Sequence, residues 1–293
     1  MTRPGARRAL LTLRTALFGA LFGALFGALL LTGSAHAATP APLHLVVPPF
    51  EYNNRAENRY FYRLLTLVLQ KTEAADGPFV IETYPSQMSP ARSVTELKNN
   101  GVVNLIWNGT SAERERDLLP VKIALIRDLN SYRIFLIRKD DQTRFDNVYT
   151  IEDLRKLIAG SGTQWADTDI LRANGLQVVA TTHHASLFPM LAAKRFDYTA
   201  RGLYEVFSEA EQHRDKGIVI EDKLIMYYSL PMYFFVNKAN VALASRLERG
   251  LKKAQADGSF DALLMSVPGF KRGIEEQKKA TRRLIVLESP FKL

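Results

Sequence analysis

The residues best suited to chemistry lie in two short segments, and the first of them begins at Thr110. Thr110 and Glu113 are three residues apart, the capping-box spacing that predicts the start of a helix at Thr110. A helix start offers free amides and positive potential, and Arg114 adds a planar guanidinium that can hold a carboxylate through two hydrogen bonds. The segment therefore fits an anion site, and it equally fits a capped surface helix with a solvated arginine.

The second segment reads GSGTQW and spans residues 160–165. Its glycines predict a small loop at 160–163 that leads into a helix, again an arrangement compatible with an anion. A simple tight turn explains the same residues. The segment is no dinucleotide fingerprint, because Trp165 stands where the third glycine would be needed.

The sequence has few other patterns of residues that could catalyse a reaction or bind a metal. The chain has no cysteine, which excludes disulfides, thiolate metal sites and cysteine nucleophiles. His183 and His184 are adjacent and point apart in a regular element, so a shared metal ion is not expected. No hydrolase elbow, phosphate-binding loop or zinc-protease motif is present. We expect no catalytic residues, no metal and no cofactor.

The first 37 residues have the pattern of a secretory signal peptide. Arginines without acids precede the apolar run ALFGALFGALFGALLL, and Ala35 and Ala37 form a cleavage site. The sequence predicts cleavage after Ala37 and a periplasmic protein; a membrane anchor is the alternative. Cleavage leaves 35 basic residues against 30 acidic ones, a net charge of +5 instead of +9. The basic residues alternate with acids, so no nucleic-acid partner is expected.

Hydrophobic periodicity predicts an α/β fold. A first unit alternates strands at 43–47, 79–84 and 102–107 with helices at 58–75 and 89–99. The second unit comprises strands at 131–139, 176–181 and 196–199 and helices at 151–158, 165–173 and 186–194. A long extended run at 224–236 precedes a helix at 241–256. Two extended crossings indicate two connections between lobes, with parallel or mixed sheets flanked by helices.

These features together resemble the type II periplasmic solute-binding proteins, in particular the family 3, polar amino-acid-binding components of ABC importers. The resemblance rests on the signal peptide and on five segments, which are, in chain order, LHLVVPPFEYNN, TSAERERDLLPV, TIEDLRKLIAGSGTQWADTDIL, AAKRFDYTARGLYEV and GLKKAQADGSFDALL. The resemblance covers residues 43–265. It implies a discontinuous first lobe at 43–133 and 237–293, a second lobe at 134–236, and a two-segment hinge.

The resemblance also implies roles for individual residues. Arg114, in the segment that begins with Thr110 and Ser111, would clamp a ligand carboxylate from the first lobe. Gly162, Thr163 and Gln164 would contact the ligand from the second lobe. Aromatic side chains would line the cleft, namely Tyr52, Trp107 and Trp165. Ligand would close the two lobes, and the closed monomer would be recognised by a membrane permease or a sensor.

One departure concerns the ligand's charge. Relatives that bind α-amino acids place an acid where this chain has Gly202, next to Arg201. Glu205, one turn on, is the nearest substitute. The sequence therefore disfavours a simple α-amino acid. It favours a small carboxylate-bearing solute from the wider group of amino acids and related organic anions. Two alternatives remain: a dehydratase-like enzyme with Glu205 as its acid, and a sensory partner of a membrane protein.

Overall fold

The computed structural model describes residues 41–49 and 56–290. The predicted signal peptide and Tyr52 lie outside these ranges. Within them, no helix combines the length and the apolar character that crossing a bilayer requires.

Helices and strands alternate along most of the described chain. The strands are β1 Leu43–Val47, β2 Phe79–Thr83, β3 Leu105–Gly109, β4 Leu118–Val121, β5 Leu125–Asp128, β6 Tyr132–Arg138, β7 Ile158–Gly162, β8 Gln177–Thr181, β9 Tyr198–Gly202, β10 Ile218–Ile220, β11 Leu224–Tyr227, β12 Met232–Asn237 and β13 Arg283–Val286. The helices are α1 Ala56–Gln70, α2 Glu73–Asp76, α3 Pro90–Lys98, α4 Ala112–Asp117, α5 Gln142–Asp146, α6 Ile151–Leu154, α7 Ala166–Ala173, α8 His184–Ala192, α9 Val206–Gln212, α10 Val241–Ala256, α11 Ser259–Met265 and α12 Pro268–Lys279.

The strands form three sheets. β1 and β2 pair in parallel, and β12 lies antiparallel between β3 and β4. The largest sheet has the order β13-β11-β6-β9-β7-β8, with β10 also paired to β6. This sheet is mixed, since β7 runs parallel to β8 and β9 whereas β6 runs antiparallel to β9. The mixed α/β architecture predicted from hydrophobic periodicity is confirmed.

Helix α10 shows how the local sequence produces an element and then its packing. The Asn240 side chain accepts a hydrogen bond from the Leu243 amide and so begins the helix. Leu247 and Leu251, one turn apart, are fully buried and face α1, where Leu64 is equally buried. Burying each leucine stabilises the fold by about 1.5–3 kcal/mol relative to leaving it in water.

Of the three hydrophobic clusters among the described residues, two pack against the large sheet and its helices. The larger one contains Leu64 of α1, Phe188 of α8 and Phe270 of α12, so it joins elements from both predicted lobes. The second lies on the large sheet, where the rings of Phe135 and Tyr198 are 4.7 Å apart. Both clusters consist of buried side chains.

Four local predictions are wrong. Residues 158–162 form strand β7 and not the end of a helix followed by a glycine loop, because small residues fit a strand that pairs on both sides with β8 and β9. Helix α6 accordingly ends at Leu154. Residues 224–236 are not one crossing: β11 belongs to the large sheet and β12 to the β3–β4 sheet. Ser111, not Thr110, is the N-cap of α4.

The domain boundaries at 133 and 236 remain predictions. Within residues 237–293, helix α10 packs on α1. Strand β13 pairs in parallel with β11, so the chain reaches the large sheet before residue 290.

Candidate functional site

Arg114 lies where strand β3 turns into helix α4. Its amide donates to the Ser111 hydroxyl at 3.1 Å, which begins the helix. Its Nη1 donates back to the Gly109 carbonyl, and its guanidinium lies 5.9 Å from the centre of the Phe235 ring. These contacts hold the half-buried side chain against β3 and β12.

No carboxylate neutralises Arg114 within the described part of the chain. Its Nε is shielded from solvent and has no hydrogen-bond partner among the described residues. Burial lowers the pKa of the guanidinium, and the charge of Glu113 opposes this only in part. An arginine remains protonated under such conditions, so this segment carries a charge that is poorly solvated and not paired.

Thr110 does not cap helix α4 as predicted, and its hydrogen bonds have a structural role. Its side chain is fully buried, its amide donates to the Pro231 carbonyl at 3.0 Å, and its hydroxyl donates to Glu115 at 2.6 Å. Glu115 also pairs with Lys122 at 2.7 Å. Thr110 thus ties the start of α4 to the chain before β12.

Trp107 lies on β3 next to this turn and is half-buried. Its ring stacks on Phe61 of α1 with centroids 5.8 Å apart and planes 15° from parallel. It packs against the larger hydrophobic cluster, as Trp165 does. Trp107 therefore borders this core from β3, and Trp165 borders it from the start of α7.

The second segment continues strand β7 into helix α7. The Thr163 amide donates to the Thr181 carbonyl at 2.9 Å, and the side chains of Thr163 and Gln164 are exposed. The Thr168 hydroxyl donates to the Gly162 carbonyl at 2.7 Å. A Cβ at Gly162 would lie 2.4 Å from the Trp165 ring, so glycine is required here for that ring to lie against the strand.

Arg201 is fully neutralised by neighbouring carboxylates. Its Nε donates to Glu209 at 2.6 Å, and its Nη2 lies 2.9 Å from Glu205. Its guanidinium lies 4.6 Å from the centre of the Trp165 ring. Burial opposes ionisation of Glu209, yet the charge of Arg201 and a hydrogen bond from His184 hold the pKa of Glu209 well below its usual range. Arg201 therefore orients Trp165 and has little charge left for a ligand.

Glu205 begins helix α9 and faces the same network. It accepts a hydrogen bond from the Gly202 amide at 3.3 Å in addition to its contact with Arg201. Burial raises the pKa of Glu205, and the charge of Arg201 opposes this rise. The position of Gly202 is crowded, because a Cβ there would lie 2.6 Å from the Tyr204 ring and 2.8 Å from Arg133 Nη1.

A second buried arginine network was not foreseen from the sequence. Arg133 of β6 contacts Asp167 of α7 at 2.7 Å and donates to the Tyr228 hydroxyl at 2.8 Å. The Tyr228 hydroxyl in turn donates to Asp167 at 2.6 Å. These residues are far apart in the chain and match no spacing pattern, so a single sequence carries no signal for them.

The predicted site residues therefore fall into two groups. Ser111 and Arg114 lie around α4, and Trp165, Arg201 and Glu205 lie together at the large sheet. No contact seen in the described ranges joins Arg114 to residues 162–165. Among the residues described, no cluster of three histidine or acidic side chains could hold a metal ion.

Comparison with solved structures identifies the architecture. An ancestral arginine-binding protein bound to glutamine superimposes with a TM-score of 0.59 at 15% identity, over 77% of this chain and 98% of that one. A histidine kinase sensor domain with similarity to periplasmic binding proteins gives 0.58 at 16% identity, over 78% and 96%. The ancestral amino acid-binding protein AncCDT-1, a precursor of cyclohexadienyl dehydratase, gives 0.56 at 15% identity, over 77% and 95%.

No protein-family model matches the sequence, and no curated protein matches it either. The structural likeness extends over nearly the whole length of each of these proteins, although the identities are low. The chain has the two-lobed α/β fold of the type II periplasmic binding proteins.

Proposed function

We propose that this protein is a periplasmic solute-binding receptor that captures a small carboxylate-bearing solute between its two lobes. Arg114 carries the proposal. Arg133 and Arg201 are each paired with buried or half-buried carboxylates, whereas Arg114 has no carboxylate partner in the described part of the chain. Arg114 thus differs from Arg133 and Arg201 in the property that an anion site requires, a cation without a carboxylate partner.

The energetics favour a bound anion at Arg114. A half-buried guanidinium loses hydration, and a carboxylate restores the lost interaction through charge-assisted hydrogen bonds. Such bonds contribute about 1.5–3 kcal/mol each when the donor is charged. Nη2 has no protein partner among the described residues and is the nitrogen available to a carboxylate, whereas Nε is shielded from solvent.

The second lobe would complete the site. Thr163 and Gln164 expose their side chains directly before α7, and Trp165 presents a ring that Arg201 holds in place. Trp107 would close the cleft from the first lobe and Ser111 would add a hydroxyl, while Tyr52 would lie against the ligand. Because carboxylates neutralise Arg201, Arg114 is the available cation among the predicted site residues that the structure describes. We therefore favour a ligand with a single carboxylate at the clamp, such as an amino acid or a related organic anion.

Closure links binding to signalling. Contacts from both lobes exist together only in the closed form, so ligand shifts the population towards it. The signal-peptide pattern at 1–37 supports export to the periplasm, where a membrane permease of an ABC importer would recognise the closed receptor. A membrane sensor is the other partner, and a sensor domain with this fold is among the similar structures.

A solute screen tests this proposal. Thermal unfolding is measured with matched sets of neutral amino acids, monocarboxylates, dicarboxylates and amines lacking a carboxylate. A carboxylate-bearing solute should raise the melting temperature, and small-angle scattering should show compaction when that solute saturates the protein. Stabilisation by the amines alone, or binding without compaction, would contradict the proposal.

Glu205 supports a second candidate, an enzyme on the same scaffold. Burial raises the pKa of the Glu205 carboxyl, which is the direction of shift that a general acid requires. A dehydratase precursor with this fold is among the similar structures. If the bound solute were converted to a product, and if Glu205→Gln abolished turnover while leaving binding intact, the enzyme would replace the receptor.

A further inference from the structure

Strand β13 forms one edge of the large sheet and pairs only with β11 among the described strands. The Arg283 amide donates to the Lys223 carbonyl at 2.7 Å, and the Leu287 amide donates to Tyr227 at 2.8 Å. Backbone groups of alternate residues point to opposite sides of a strand. The amides and carbonyls of Leu284 and Val286 therefore point away from β11, and no partner for them occurs in the described ranges.

The side chains on this edge are apolar and exposed. Leu284 is 54% exposed and Val286 is 60% exposed, whereas Ile285 on the other face is buried. Edge strands usually carry charges, proline or bulges that prevent pairing with another chain. β13 has none of these at its two outward-pointing residues, so it is suited to pairing.

The available edge is short because its end is already occupied. The Asn174 side chain donates to the Glu288 carbonyl at 2.8 Å and accepts from the Glu288 amide at 3.0 Å. An amide side chain thus takes the place that a neighbouring strand would have at residue 288. The unpaired stretch is limited to residues 284–286.

We propose that β13 pairs with β13 of a second copy of this chain, antiparallel and with the two-fold axis at Ile285. In this register Leu284 lies opposite Val286 of the second copy, and each such pair exchanges both N–H···O=C bonds. The exposed side chains of both copies then pack on one another across the axis. The interface is self-complementary, as a two-fold dimer requires.

Charge selects the antiparallel arrangement. The chain that leads into β13, residues 275–283, carries four cations and two carboxylates, whereas residues 284–290 carry one acid, Glu288, and no cation. Antiparallel pairing brings the positive start of one strand near the acidic end of the other. A parallel arrangement would place like charges together.

The contact is smaller than the interface of a stable dimer. Three residues in each copy bury much less than the roughly 1,200–2,000 Å² of a specific permanent complex. We therefore infer a weak dimer that forms at about 0.1–1 mM protein. The sequence predicts a monomer, and so weak a dimer would dissociate to monomers in dilute solution.

Sedimentation equilibrium across about 10 µM to 1 mM protein tests the dimer. The mass should rise from that of the monomer towards twice that value. Val286→Pro removes an outward amide without removing a bond to β11, and it should weaken association at least about tenfold. Val241→Pro is the control, because Val241 is equally exposed and lies at the first position of α10, which accepts proline. A monomer mass throughout, or equal association of both variants, would overturn the proposal.

A charge pair tests the register. Leu284→Lys and Val286→Glu each place a charge in the apolar contact, so each variant alone should remain monomeric. Mixed together they should associate, because the new lysine of one copy faces the new glutamate of the other. Failure of the mixture to associate more strongly than either variant alone would overturn the antiparallel pairing. Both positions are exposed, and unchanged melting temperatures would verify that the variants fold.

Discussion

Arg201 and Glu209 form a two-point contact inside the protein, with Nε to Oε2 at 2.6 Å and Nη2 to Oε1 at 2.9 Å. Both side chains are almost completely buried. This pairing separates Arg201, which holds the structure together, from Arg114, which we assign to the ligand. Each assignment has its own consequences for substitutions.

Replacing Arg201 should destabilise the fold. Arg201→Ala leaves Glu209 buried without its main partner, and the free energy of unfolding should fall by about 3–5 kcal/mol. Urea denaturation measures the change. Arg214→Ala is the control, since Arg214 pairs with Glu211 at the exposed surface, and its effect should stay within about 0.5 kcal/mol. Equal losses in both variants would contradict the structural role of Arg201.

The buried carboxylates should give the unfolding free energy a characteristic pH dependence. The pKa of Glu209 is lowered in the folded state, so its contribution is present above its ordinary pKa of 4.5 and is lost as the pH falls below that value. The pKa of Glu205 is raised by burial, so its contribution is present below 4.5 and is lost as the pH rises.

Two variants separate these contributions. Urea denaturation between pH 3 and pH 8 gives the free energy of unfolding at each pH. Below pH 4.5 this free energy should fall less steeply for Glu209→Gln than for the unaltered protein. Glu205→Gln should keep the steep fall at acid pH and should lack the decline of the unfolding free energy above pH 4.5. Identical profiles for the two variants would contradict the opposite shifts of their pKa values.

Gly162 should be intolerant of a side chain. The alanine methyl of Gly162→Ala would collide with the Trp165 ring, and the resulting displacement should lower stability by about 1–3 kcal/mol. Tryptophan fluorescence should shift because the ring moves. Gly109→Ala is the control, because the atom nearest to its new methyl is 3.4 Å away. This variant should change neither the stability nor the tryptophan fluorescence. An unchanged spectrum in Gly162→Ala would disprove the packing.

The Tyr228 hydroxyl should contribute to stability through Arg133 and Asp167. Tyr228→Phe removes a buried group that both donates and accepts, and the free energy of unfolding should fall by about 1–3 kcal/mol. Tyr149→Phe, at a side chain that is 63% exposed, serves as the control. A loss as small as that of the control would indicate that water replaces the hydroxyl without penalty.

Local patterns were predictable from the sequence where a single element determines them. The starts of the helices predicted at 89–99 and 151–158 and the whole helix at 241–256 are confirmed, because capping and periodicity depend on neighbouring residues. Strand β7 was misassigned because its glycines resemble a loop until the adjacent strands that stabilise it are known.

The candidate site was predictable only in part, because tertiary pairing decides the role of each charge. Arg114 and Arg201 look alike in the sequence, and only the fold shows that Glu209 neutralises the second. Glu205 was predicted as a substitute for a missing acid, but it faces Arg201. Pairs such as Arg133 and Asp167, 34 residues apart, depend on the packing of α7 against β6.

A calorimetric titration of Arg114→Ala with the best solute from the screen measures directly whether Arg114 holds the ligand. Arg116→Ala is the matched control, because Arg116 lies on the same short helix and its side chain is 67% exposed. Arg114→Ala should weaken binding at least about 30-fold, a loss of about 2 kcal/mol, while Arg116→Ala should stay within about twofold. Equal affinity of Arg114→Ala and the unaltered protein would contradict the role of Arg114 in binding the ligand.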